Sequence, residues 1–243
     1  MGAIAQPHRA SSRVPIVDAV RGLAVLLMVG YHSCFDLNFY GQTHFRFNED
    51  PFWLDFRTII VGLFLCVMGV SLHLAGRGGL CWPRYVRRLV LVSVCAGLVT
   101  VGSLFLFRES YIFFGVLHFV VVASLLALPF LRGEGITLVV GLTCIVLGNL
   151  VQHPIFDHPA WQWVGMMTHK PITEDYVPLV PWFGVVLVGV WLGRWIGVGW
   201  GRLTLPRTMT PLVILGRYSL LVYMLHQPVI MGLLYLLYGQ AIS

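Results

Sequence analysis

Arg21, Val25, Met28, His32 and Asp36 follow one another at three- and four-residue intervals. On a helix they share one face, with a cation at one end and an imidazole and a carboxylate at the other. A carboxylate one turn beyond an imidazole accepts a hydrogen bond from the ring, sets its tautomer and stabilises its protonated form, which is how a general base is oriented. The chemistry expected of such a face is general-base proton transfer, with His32 as the base and Asp36 as its partner. His118, in FFGVLHF, and His226, in YMLHQPV, stand in other apolar runs, where a histidine also serves as an interhelical hydrogen-bond donor. His73 reads as a residue of a helix end at the headgroups, and Arg57 either faces a site or snorkels to the interface.

The elements that hold these residues are membrane spans. Of the 243 residues 58% are apolar and only 11% are charged, with mean hydropathy +0.82. A soluble domain carries roughly 25% charged residues, so this chain cannot cover itself in water. The expected class is all-α: a polytopic transmembrane helical bundle of about seven spans. They lie near 17–40, 54–75, 86–107, 112–131, 135–151, 177–198 and 212–238. Residues 1–16 form a cytoplasmic tail and 239–243 a short outer one, around a single domain of 17–238. The polar, basic N-terminus leads into a run with no small-residue cleavage site, which predicts a retained first span rather than a signal peptide.

Charge sets the orientation. With the N-terminus inside and the C-terminus outside, all but Arg46, Arg57, Arg108 and Lys170 of the sixteen basic residues fall at the inner side, where only Asp18 and Glu134 of the ten acids join them. The net charge of +6 is therefore a topology signal and not a nucleic-acid surface. Deleting the short fifth span would put the Arg194–Arg217 loop outside, so it is kept. The five cysteines form no CxxC pair, which indicates neither a disulfide framework nor a zinc site. Gly189, Gly193, Gly197 and Gly201 make a ridge of small residues suited to close helix packing. At a rise of about 1.5 Å per residue, His32, His118 and His226 all lie roughly 21–22 Å from the inner side, with Arg57, Asp55, Asp175 and Trp182 just above them. Tyr176, Trp53, Trp161, Trp163 and Trp182 cluster near the outer boundary, where an interfacial belt is expected.

DAVRGLAVLLMVGYH, residues 18–32, resembles the first-span signature of membrane acyltransferases. Together with YHSCFDLNFYG, FLCVMGVSLHLA, FFGVLHF, DYVPLVPWFGVVLVGVWLG and LGRYSLLVYMLHQPV, it is similar to the bacterial branch of the heparan-α-glucosaminide N-acetyltransferase catalytic-domain family, over about residues 14–238. The Arg-to-His motif and YMLHQP also resemble membrane O-acyltransferases of bacterial surface polysaccharides. The resemblance implies transfer of an acetyl group from cytosolic acetyl-CoA to the amino or hydroxyl group of a sugar or glycan across a bacterial inner membrane. It carries over onto Arg21 and His32. The lysosomal animal enzymes have Asn at the His32 position and a catalytic His in the outer loop before span two. Here the nearest histidine of that loop is His44, with different spacing, and His32 is favoured as the base.

On this reading the catalytic set is His32, Asp36, Arg57 and His118, with Arg57 or His118 stabilising the oxyanion. The acceptor is held by Arg21, Asn38, His44, Asp175, Trp182, His226 and Gln227. The phosphates of acetyl-CoA are drawn by Arg84, Arg87, Arg88, Arg202 and Arg207. Direct attack and an acetyl-His32 intermediate both remain open. The partners are membrane lipid, acyl-CoA and a glycan acceptor, with no metal or haem, no nucleic acid, and self-association left open. Two rival classes use the same residues. One is a proton-coupled transporter or flippase working through His32 and Asp36; the other is a haem-binding electron carrier.

Overall fold

The structure, a computed structural model, describes residues 14–106, 108–199 and 205–239, with the backbone alone for 197–199. The described residues form eight α-helices: α1 Pro15–Phe39, α2 Pro51–Gly76, α3 Trp82–Leu106, α4 Val116–Leu126, α5 Gly135–Leu150, α6 Leu179–Gly199, α7 Thr210–Arg217 and α8 Ser219–Tyr238. The protein is all-α, and α1, α2, α3, α6 and α8 are long and apolar enough to cross a membrane. The five correspond to expected spans one, two, three, six and seven. Expected spans four and five appear as the shorter apolar helices α4 and α5.

Local chemistry explains several boundaries. Pro15 and Pro51 open α1 and α2 at the first turn, where a missing N–H costs nothing. The Asp50 carboxylate caps α2 by accepting from the Phe52 amide at 2.9 Å. The expected seventh span, 212–238, is instead two helices, because Tyr218 leaves the helical region at φ −101°, ψ 18°. The break follows a close contact with α1. Gly22 and Gly216 bring the two backbones so close that a Cβ on Gly216 would fall on the Asp18 carbonyl, and one on Gly22 on that of Leu212. Asp18 then ties the pair, with Arg21 at 2.8 Å and Arg217 at 3.8 Å. Arg21 also reaches Ser71 Oγ on α2, at 2.6 Å, and the Gly216 carbonyl.

Helix α6 is the central packing element, against α2 on one side and α5 on the other. Gly189 lets α6 touch the α2 backbone at Cys66, and Gly193 lies against the ring of His73. These are two positions of the expected glycine ridge; the side-chain surroundings of Gly197, and Gly201 altogether, lie outside the described residues. Helix α1 packs on α2, α7 and α8, and α3 on α4. The main apolar core joins α2, α3, α4 and α6 around Phe119, Leu65 and Leu187, and a second joins α1 to α2 around Val25, Tyr31 and Trp53.

Candidate active site

His32 lies on the last third of α1, one helical turn past Met28, and faces a cavity of about 390 Å³. Helix α1 lines it with Met28, Tyr31 and His32, α2 with Arg57 and Phe64, and α8 with Tyr223. The long segment between α5 and α6 covers one side with Lys170, Thr173, Glu174, Asp175 and Tyr176, and Trp182 of α6 completes it. His32 makes no hydrogen bond among the described residues, and its Nδ1 is buried without a partner. Its ring packs edge-on to Tyr31, at 5.7 Å, and against His226, at 5.0 Å. The Tyr31 hydroxyl lies beside the Arg57 guanidinium. An imidazole with an open lone pair thus stands at the same cavity as a fixed cation.

Charge is arranged around the mouth. The Asp175 carboxylate caps α4, accepting from the Val116 amide at 2.8 Å, and the Tyr223 hydroxyl donates to it over a long 3.4 Å. Gly115 permits this approach, because a Cβ there would fall on the Asp175 carboxylate. Burial raises the Asp175 carboxyl above its ordinary value, opposed by these hydrogen bonds and by the nearby Lys170 and Arg57 charges. Burial lowers the Lys170 ammonium, and the Arg57 charge adds to the effect. Glu174 is held at the rim by Ser110, whose hydroxyl donates to it at 2.6 Å.

The expected pairing of His32 with Asp36 does not form. Asp36 is buried and turns to α8, where Gln227 Nε2 donates to its Oδ1 at 3.2 Å, while the His32 ring turns to the cavity and to His226. His226 fixes its own tautomer by donating from Nδ1 to the Tyr223 carbonyl at 2.7 Å. His32, Asp36, His226 and Gln227 therefore make one polar cluster between α1 and α8, each with a buried polar atom that has no protein partner.

Other expected site residues lie elsewhere. His118 does not face the cavity: its Nδ1 accepts from the Gly115 amide at the start of α4, and its Nε2 meets the Thr100 hydroxyl at 3.1 Å. It is the third residue of that helix, and reaching back to the cap amide is the geometry of a capping box. Asn38 accepts from Phe45 N at 2.7 Å and from Thr43 Oγ1, so it fastens the loop after α1. His44 is exposed on that loop, and Arg21 serves the α1–α2–α7 junction. Arg84, Arg87 and Arg88 occupy the first two turns of α3, with Arg88 within electrostatic reach of Arg21, and Arg207 begins the short turn before α7. Arg202 lies outside the described residues. Of the expected set, the cavity gathers His32, Arg57, Asp175 and Trp182, with His226 directly behind His32.

Sequence reasoning missed Tyr31, Asn48, Lys170 and Tyr223 at this cavity. Lys170 is the one lysine in the chain, and Tyr223 precedes His226 by three residues in the same motif, so both carried a signal.

No curated protein and no solved structure matches the chain. The profile of the heparan-α-glucosaminide N-acetyltransferase catalytic domain matches residues 13–228, a stretch that contains every residue lining the cavity. The chain belongs to the heparan-α-glucosaminide N-acetyltransferase catalytic-domain family and is a multi-pass membrane protein of the acetyltransferase kind.

Proposed function

We propose that the protein transfers an acetyl group from cytosolic acetyl-CoA to an amino or hydroxyl group of a sugar or glycan on the outer side of a bacterial inner membrane. The observation that carries this reading is His32, a cavity-lining imidazole with no hydrogen-bond partner among the described residues and an arginine across from it. His32 accepts the proton of the acceptor as its nitrogen or oxygen attacks the thioester carbonyl carbon. The carbon–sulfur bond then breaks, and the proton passes to the departing thiolate. General-base catalysis of this kind contributes typically about 10²- to 10⁴-fold. Arg57 stabilises the oxyanion of the tetrahedral intermediate, since His118 has both ring nitrogens engaged at the start of α4. Asp175, Glu174, Tyr176 and Trp182 present the carboxylates and aromatic faces against which a sugar with an amino group is oriented. Arg84, Arg87 and Arg88, with Arg202 and Arg207, attract the phosphates of the donor at the opposite side.

Calorimetric titration of acetyl-CoA into detergent-purified protein, paired with an acetyl-transfer assay on glucosamine, tests the reading. Wild type binds and turns over. His32→Ala still binds the donor but transfers nothing, and an Arg87→Ala/Arg88→Ala double variant binds it more weakly. Near-normal transfer by folded His32→Ala would remove His32 as the base, and absence of donor binding by wild type would remove acetyl-CoA.

A further inference from the structure

A second cavity, of about 540 Å³, opens far from His32. It lies some 16 residues further along α2 than Arg57, or about 24 Å. His73, Gly76, Arg77, Gly78, Leu131, Arg132 and Arg194 line it. Three arginines thus line it from three parts of the fold: the end of α2, the turn before α5 and the last third of α6. Among the described residues, no carboxylate lines the cavity to neutralise them. Like charges gathered in this way repel one another, and a bound anion relieves that repulsion.

The site is built rather than incidental. Arg77 Nη2 donates to the Arg194 carbonyl at 3.2 Å, and Arg194 Nη1 donates to the Gly133 carbonyl at 3.3 Å. Arg77 and Arg194 are thereby each steered by one hydrogen bond and keep their other donors. The His73 side chain forms the wall between them, 5% exposed, with Nδ1 donating to the Leu131 carbonyl at 2.7 Å. Gly133 and Gly193 both close on this side chain: a Cβ on Gly133 would meet the ring at 3.1 Å, and one on Gly193 would meet its Cβ at 2.8 Å. Nε2 is left as the polar atom of His73 with no protein partner.

The surroundings are those of a headgroup region. The cavity opens where the apolar helices α2 and α6 end and α5 begins. Ile136 and Val139 of α5, 60% and 58% exposed, run away from it as an apolar track. Arg194 stacks over Trp195 at 5.4 Å, and an exposed Trp beside an Arg is an interfacial anchor. We infer that this cavity is a phosphate site that holds the headgroup of an anionic phospholipid, with its acyl chains along α5 and its phosphate among Arg77, Arg132 and Arg194. It is separate from the catalytic reading and stands or falls without it.

Native mass spectrometry of the full chain, loaded with phosphatidylglycerol or with phosphatidylcholine, tests the site. Inorganic pyrophosphate serves as the soluble competitor. Wild type is expected to retain phosphatidylglycerol over phosphatidylcholine. Arg132→Ala, the change that touches no hydrogen bond of the fold, should weaken that retention about fivefold or more, and Arg132→Glu should abolish it. Displacement of the lipid by pyrophosphate would show a site that reads phosphate from either source; retention against pyrophosphate would show that the acyl chains contribute. Equal retention of the two lipids, or unchanged retention in both Arg132 variants, would overturn the proposal. The thermal unfolding midpoint of each variant in detergent gives a separate readout of folding.

Discussion

At the scale of single residues, the unexpected feature is that Asp36 leaves His32 alone. A helix puts the two side by side, but only tertiary context decides which way a side chain turns, and Gln227 on α8 offers Asp36 an amide donor. On the proposed function, Asp36 is then a positioning residue of the α1–α8 cluster, and its charge does not orient His32 as a base. Asp36→Asn keeps an acceptor for Gln227, so transfer should stay within a few-fold of wild type with an unshifted pH–rate profile. A loss on the scale of about 10²- to 10⁴-fold would instead restore the expected pairing. Arg57→Ala, by contrast, removes the cation across the cavity and should cost kcat about 10²- to 10³-fold with donor binding intact, as measured by calorimetry beside steady-state rates. The placement of His32 and Arg57 at one cavity was foreseeable from sequence, because a titratable group in an apolar run is costly and tends to face the bundle interior. His118 satisfied the same criterion and is a helix cap, since depth along a span says nothing about which neighbour a ring meets.

Elements were read well where hydropathy is continuous and less well where it is interrupted. Spans one, two, three and six match α1, α2, α3 and α6 to within a few residues, because a long apolar run has one solution in lipid. The break at Tyr218 was invisible: no proline or glycine stands at it, and the close contact of Gly216 with α1 lies two residues before it. Gly216→Ala should therefore push α1 and α7 apart and cost about 1–3 kcal/mol. Gly30→Ala, in the same α1 but with open space around it, should be close to neutral. Thermal unfolding of both variants in detergent compares them directly, and equal midpoints would deny that the α1–α7 contact is as close as the backbone distance indicates. The segment between α5 and α6 has its own clasp, in which Asp157 accepts from the Thr168 amide at 2.9 Å and from its hydroxyl at 2.6 Å. The Thr168 hydroxyl bond, foremost, holds Asp157 below its ordinary 3.8. The clasp is then fully present above pH 3.8 and is lost as pH falls through the lower folded value. Limited proteolysis of this segment should speed up in Asp157→Asn at neutral pH, and in wild type only below that range.

For the whole molecule, function depends on which end of the bundle faces the cytosol. The structure separates two chemistries along the helix axes. Arg77, Arg132 and Arg194 surround one cavity, Arg21 and Arg217 bracket Asp18 nearby on α1 and α7, and the first turns of α3 add Arg84, Arg87 and Arg88. The other end carries the His32 cavity, with Glu174 and Asp175 at its rim. Positive residues are retained on the cytosolic side, so the arginine end is expected inside, the His32 cavity outside and the C-terminus outside. On the proposed function, that orientation is also what an acetyl donor made in the cytosol requires, with its phosphates at Arg84, Arg87 and Arg88 and its acetyl group at His32. Alkaline phosphatase joined after Gly239 should be active, and joined after Gly79 it should be inactive, with the opposite pattern for a fluorescent protein that folds only in the cytosol. An active phosphatase after Gly79 would place the arginines outside, and a charged cytosolic donor would then meet the carboxylate-rimmed cavity first. The acceptor would have to come from the arginine side, and the assignment of donor and acceptor ends would be reversed.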